Sequence, residues 1–153
     1  MPFRFRFKPL LRHRQFKLRE AQSALAIAQS LEMDIEGAMD RLRRRIRIQG
    51  EQLEKEQESG IDAARYFLFK NFLHSLEREL LLMQNELNKA CNEVEFRKQA
   101  VVESNKSLKV LEDMESKEKE AYRVEQVRQE RKVLDDVAIF KNYRDCGRAG
   151  GES

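Results

Sequence analysis

Few side chains in this chain could do chemistry, and they are scattered. His13 and His74 are the types that serve as general base or metal ligand, and Cys91 and Cys146 the types that serve as nucleophile or thiolate ligand. Neither pair has a partner at useful spacing. No CxxC, glycine-rich phosphate loop, nucleophile elbow or His/Asp/Glu set at ligand spacing occurs, so no catalytic residue, metal or cofactor is expected. The histidines read as solvated surface residues. The cysteines are too few for a disulfide framework and read as ordinary reduced side chains, which suits a cytosolic location.

Arginine is the other chemical signal, because a guanidinium cluster can hold phosphate or an anionic lipid. Residues 1–50 carry 12 Lys+Arg against 5 acids (+7), whereas residues 51–153 carry 18 against 22 (−4), for a net +3. Two segments are densest: Arg4 to Arg19, and the run Arg41, Arg43, Arg44, Arg45 and Arg47. On a helix the second run spreads over heptad positions b, c, e, f and g. It encircles the helix instead of making one phosphate-facing stripe, and a solvated surface pairing partly with acids such as Glu77 and Glu79 is the better reading. Aromatic groups interleave with bases only in Phe3-Arg4-Phe5-Arg6-Phe7, too short to read a nucleic-acid sequence.

The elements that would carry these residues are long helices. No proline follows Pro9, and from Leu10 to Cys146 the only glycines are Gly37, Gly50 and Gly60, so little forces a helix to stop. A composition of 37% charged and 41% hydrophobic residues without Trp, and a mean hydropathy of −0.75, fits a surface-rich coil. The opening residues lack the apolar core of a signal peptide, and no run approaches the roughly 20 apolar residues of a membrane span, so a soluble chain is expected.

Leu11, Leu18, Leu25, Glu32, Met39, Ile46 and Leu53 fall seven apart, with Arg14, Ala21, Ala28, Ile35, Leu42, Gln49 and Glu56 three later: the a and d positions of a coiled-coil seam. A second seam runs from Tyr66 through Leu73, Leu80, Leu87, Val94, Val101 and Leu108 at a, with d positions from Phe69 to Leu111. Between the seams, Gly60 can end one helix in the left-handed conformation and Ser59 or Asp62 can cap the next. Antiparallel pairing about Ile61 satisfies both seams, setting Leu53 against Phe69, Leu42 against Leu80, Ile35 against Leu87 and Leu11 against Leu111. The expected fold is all-α: two long helices in an antiparallel coiled-coil hairpin, the second helix overhanging, with a dimer the weaker alternative. Its bounds are a helix over about 8–57, a turn over about 58–61, a helix over about 62–143 and a disordered tail over 145–153. At about 1.5 Å per residue the second helix would be roughly 120 Å long and its paired part roughly 70 Å. Glu32, Gln49, Arg97 and Ser104 in the seam read as register-setting polar residues.

Apolar residues off the seam point to recognition by surfaces. Ile48, Phe67, Leu68, Phe72, Leu81 and Leu82 take b, c or g positions near the turn, and exposed apolar clusters mark partner sites. Past Leu111 the seam fails at Glu115 and Glu118, and apolar residues resume out of phase at Val124, Val127, Leu134, Val137 and Phe140. Val133, Ile139 and Phe140, together with the Phe/Arg-rich start, form a second candidate patch.

Three stretches carry a family resemblance: Phe5 to Glu20, Gly60 to Phe69 and Gln129 to Ala138. Together they resemble the FliJ family of the bacterial flagellar type III export apparatus, departing at His13, where such openings more often carry an aliphatic residue. The resemblance implies a small cytoplasmic antiparallel coiled coil, similar in shape to the central stalk of rotary ATP synthases and without an active site; the internal pairing of the two seams makes a monomer the expected state. It implies as partners the hexameric export ATPase, the cytoplasmic domain of the export gate and export chaperones, with peripheral association with the inner membrane at the flagellar base through those partners. Carried onto this chain, it sets Arg12, Leu134, Val137 and Phe140 toward the ATPase and Ile48, Phe67, Leu68 and Phe72 toward the gate. The equivalent stalk of a virulence-type secretion system shares these features. A basic coiled-coil arm binding nucleic acid or an anionic membrane is the alternative of another class, and nucleic acid is not the expected partner.

Overall fold

A computed structural model describes residues 2–150. They form two helices, α1 (Lys8–Ser59) and α2 (Ala63–Ala149), and no strand occurs among the described residues. Pro9 falls in the first turn of α1, where its missing N–H leaves no helix bond unmade. The turn is made as its residues dictate. Gly60 adopts φ 84°, which costs a residue lacking Cβ nothing, and its N–H donates to the Gln57 carbonyl at 3.3 Å. Asp62 Oδ1 accepts the Arg65 N–H at 2.8 Å, so Asp62 is the N-cap of α2. Ser59 does not share that role, since its hydroxyl donates backward to the Lys55 carbonyl at 3.1 Å. Arg65 also bridges the turn, Nη2 to Glu56 Oε1 at 3.0 Å.

The chain packs as two compact units. One, the turn unit, is Phe16–Asn105; the other, the terminal unit, joins the residues up to Gln15 with those from Lys106 onward. In the turn unit every seam position is buried or half-buried, with Ala28, Met39, Leu42, Leu53, Leu76, Ala90 and Val94 buried outright. Burying a Leu, Val or Met side chain is worth about 1.5–3 kcal/mol, and these residues supply most of what holds the helices together. The polar seam residues Glu32, Gln49, Arg97 and Ser104 are half-buried, so each keeps some contact with water. Cys91 donates its thiol to Glu32 Oε1 at 3.1 Å, and Arg97 Nε donates to Glu93 Oε1 at 2.7 Å. The carboxylate of Glu32, as hydrogen-bond acceptor and as charge, raises the Cys91 thiol pKa above its ordinary value.

In the terminal unit Leu11, Leu108 and Leu111 are buried, and two polar contacts fix the register beside them. Arg14 Nη1 donates to the Ser107 carbonyl at 2.6 Å and Lys8 Nζ to Glu115 Oε1 at 3.0 Å. Residues ahead of α1 prolong this packing. Phe5 is buried and Phe3 and Phe7 are half-buried, while Arg4 and Arg6 between them are exposed. The segment ends in a turn at Arg6 and Phe7, closed by the Lys8 N–H donating to the Phe5 carbonyl at 3.3 Å. The Phe3 ring lies 5.6 Å from that of Tyr122 and the Phe5 ring 5.9 Å from that of Phe7. Phe3-Arg4-Phe5-Arg6-Phe7 is thus a packing strap, a role its composition does not disclose.

Beyond the strap α2 is covered by nothing: every residue from Val127 to Gly150 is exposed. It stays helical because extending an existing helix carries no nucleation cost, and pairs three residues apart support it. Arg123 grips Glu120 with Nε at 3.0 Å and Nη2 at 2.7 Å, and Arg128 lies 3.8 Å from Glu125. The expected disordered tail is corrected in part. Asp145 to Ala149 are helical, with Arg148 favourably set in the last turn and the Gly150 N–H donating to the Cys146 carbonyl at 3.2 Å; residues 151–153 lie outside the described residues.

Candidate interaction surfaces

The seam consumes the a and d side chains, so any site must be built from the remaining positions and from α2 beyond the strap. Among the described residues no group of three or more His, Cys, Asp and Glu could hold a metal. His74 instead sits 3.4 Å from Glu77, and His13 is exposed. No helix is long and apolar enough to cross a membrane among the described residues.

In the turn unit Ile48, Phe67, Leu68 and Phe72 are all exposed. Phe72 is the least so, at 38%, because the Arg45 guanidinium lies 5.4 Å from its ring centroid. This contact joins the g positions of the two helices, and Ile48 and Leu68, at c, belong to the same flank. Phe67, at b, does not. It turns to the other flank, where its ring meets Tyr66 edge-on at 6.0 Å. The four residues therefore form a patch of three and one apart. Leu81 and Leu82 are exposed and fall on different flanks in the same way. Exposed Ile27, Leu31 and Phe96 are not among the residues singled out from the sequence, although their c and g positions carry the same signal as Ile48 and Leu68. Among the described residues the arginine run forms no ion pair with Glu77 or Glu79, although Arg45 borders a groove with Glu79; Arg43 pairs with Asp40 at 3.3 Å within α1.

In the terminal unit Leu134, Val137 and Phe140 are exposed on a stretch of α2 that also presents Val133, Ile139 and Tyr143. Apolar side chains occur here around most of the helix, leaving the side of Arg131, Asp135 and Asn142 polar, and Gln126, Gln129, Glu130, Val133 and Leu134 border a shallow open groove. Arg12 is exposed but stands elsewhere in the unit, between the levels fixed by Arg14–Ser107 and Lys8–Glu115. Leu134 lies roughly 35 Å further along α2 at about 1.5 Å per residue. A single contact would have to be long to include both. Nearer the strap, Phe3, Lys119, Tyr122 and Arg123 border another open groove. The double hydrogen bond from Arg123 lowers the Glu120 carboxyl below its ordinary pKa and raises the Arg123 guanidinium in turn.

What these surfaces have in common is apolar side chains standing in water. No curated protein and no solved structure matches the chain. A family model described as the flagellar FliJ protein matches residues 3–145, nearly the whole of it. The match takes in the strap, both helices and the turn, and the chain belongs to the FliJ family, which are structural components of the flagellar export apparatus and not enzymes.

Proposed function

We propose that this protein is the non-enzymatic stalk component of the flagellar type III export apparatus, engaging the hexameric export ATPase and the cytoplasmic domain of the export gate to promote export. The observation that carries this reading is the stretch Val127–Ala149, a helix with every residue exposed and Leu134, Val137 and Phe140 in water. Apolar area left uncovered over so many turns is costly to maintain unless a partner covers it. The terminal unit, with Leu134, Val137, Phe140 and, at a separate level, Arg12, meets the ATPase. The turn unit, with Ile48, Leu68 and Phe72 on one flank and Phe67 on the other, meets the gate. Export chaperones are further partners, the protein acts as a monomer in the cytoplasm, and it is held at the inner membrane through its partners alone.

Truncation after Gln126 removes the uncovered stretch and leaves the strap, the seam and the turn. It is expected to abolish stimulation of the purified export ATPase while leaving thermal unfolding of the remainder unchanged; full stimulation by the truncated chain would refute the ATPase assignment. The companion variant Leu68→Ser/Phe72→Ser is expected to weaken binding to the gate's cytoplasmic domain by about tenfold or more, as for loss of anchoring side chains at an interface, with helicity unchanged by circular dichroism.

A further inference from the structure

A two-helix coil has two long grooves, and here one is bordered by the e positions of both helices and the other by the g positions. In the turn unit they differ in chemistry. Along the e side α1 presents Gln22, Gln29 and Glu36 and α2 presents Gln84, Cys91 and Lys98. Along the g side α1 presents Ala24, Leu31 and Ala38, facing Glu79, Glu86 and Glu93 of α2. That the g positions do face one another is seen in two open grooves. Leu31 borders one with Glu86 and Glu93 over a floor of Ile35 and Ala90; Ala38 and Arg45 border the next with Glu79 over Leu42 and Met83. Exposed Ile27, Leu82 and Phe96, at c positions, widen the apolar strip beside them.

Small and apolar residues on one wall allow close approach, and three carboxylates seven residues apart on the other repeat at the heptad period of a helix. Glu93 is held by Arg97 at 2.7 Å; Glu79 and Glu86 make no ion pair among the described residues. Lys89 of α2 stands at the rim of the first groove beside Glu86 and Glu93, and Arg41 of α1 at the rim of the second; the g positions of the α2 wall, Glu79, Glu86 and Glu93, are all carboxylates. We propose that the g-side groove of the turn unit seats a third helix, supplied by a partner, amphipathic, with apolar side chains at three- and four-residue spacing and Lys or Arg at seven-residue spacing along the edge facing α2. This goes beyond the gate contact, since it uses residues from Ala24 to Ala38 and from Glu79 to Phe96. The exposed stretch of a second copy does not fit, because Val127–Ala149 has no three basic residues at seven-residue spacing.

The test uses the full chain and two synthetic amphipathic helices with Leu at the core positions and Gln on one flank, one carrying Lys and the other Glu on the second flank. By fluorescence anisotropy the Lys peptide is expected to bind about tenfold or more tighter than the Glu peptide, the difference shrinking as salt screens the pairs. Glu79→Lys/Glu86→Lys should reverse the preference, and Leu31→Lys should remove binding of both peptides. Gln29→Lys, on the e side, should leave binding as it was, and circular dichroism should show all variants equally helical. Equal binding of the two peptides, no binding of the Lys peptide, or equal effects of Gln29→Lys and Leu31→Lys would overturn the proposal. So would a dimer in sedimentation velocity that Leu31→Lys dissociates, which would assign the groove to a second copy.

Discussion

Leu111 and Leu134 belong to one continuous helix, yet the first is 4% exposed and the second 68%. Residue type and local conformation are the same; what differs is whether another segment lies alongside. From Tyr66 to Leu111 each a and d side chain of α2 meets α1, and the Phe strap carries cover on to Tyr122. After Gln126 the same helix presents its apolar residues to water. One stretch uses its apolar residues in folding, and the other leaves them uncovered.

The sharpest way to break this comparison is to shorten a leucine in each stretch. Leu76→Ala should cost about 2–5 kcal/mol in urea unfolding, because its cavity lies in the packed seam, whereas Leu134→Ala should stay within about 0.5 kcal/mol. A comparable loss at Leu134 would mean that the exposed stretch packs on something in the free protein. The turn supplies the next effect. Asp62→Ala removes the acceptor of the Arg65 N–H and is expected to cost about 1 kcal/mol, and Gly60→Ala about 1–2 kcal/mol for a left-handed residue bearing Cβ. Both should appear as loss of unfolding midpoint with the slope unchanged.

The strap marks where one regime gives way to the other. Phe5→Ala should accelerate amide exchange around Tyr122 by several-fold while leaving exchange in the Val127–Ala149 stretch unaltered, since local opening follows the loss of buried contacts. Exchange unchanged at Tyr122 would show that the strap does not hold α2. The smallest effect is electrostatic. Glu120 has a lowered pKa through Arg123, so its pairing is complete above the ordinary carboxylate range and is lost as pH falls through the lowered folded value. A carbon-13 titration should find Glu120 protonating at lower pH than it does in Arg123→Gln. Because the pair is open to solvent, unfolding should scarcely register it.

Both seams, the turn and its cap are legible in the residues because each is a local or periodic property. Heptad spacing names the seam whatever the partner, and only glycine takes the conformation found at Gly60 without strain. The strap is illegible for the opposite reason. Alternating Phe and Arg states that one face is apolar, but not what it meets, and the groove beside Tyr122 exists only once α2 passes there. Helix length departs from expectation at Asp145 for a related reason: composition marks the polar, glycine-containing tail as disordered, while propagation from the preceding turn decides its conformation.

By itself, then, the sequence determined an all-α hairpin with its register and its turn, since these follow from periodicity, capping and residue type. Tertiary structure alone decided which apolar side chains are used up and which remain. Ile48, Leu68 and Phe72 share a flank that Phe67 does not, Arg12 stands apart from Leu134, and Leu31 and Ala38 face a row of glutamates. Exposure is a property of what lies alongside a residue, and no spacing within one helix records that.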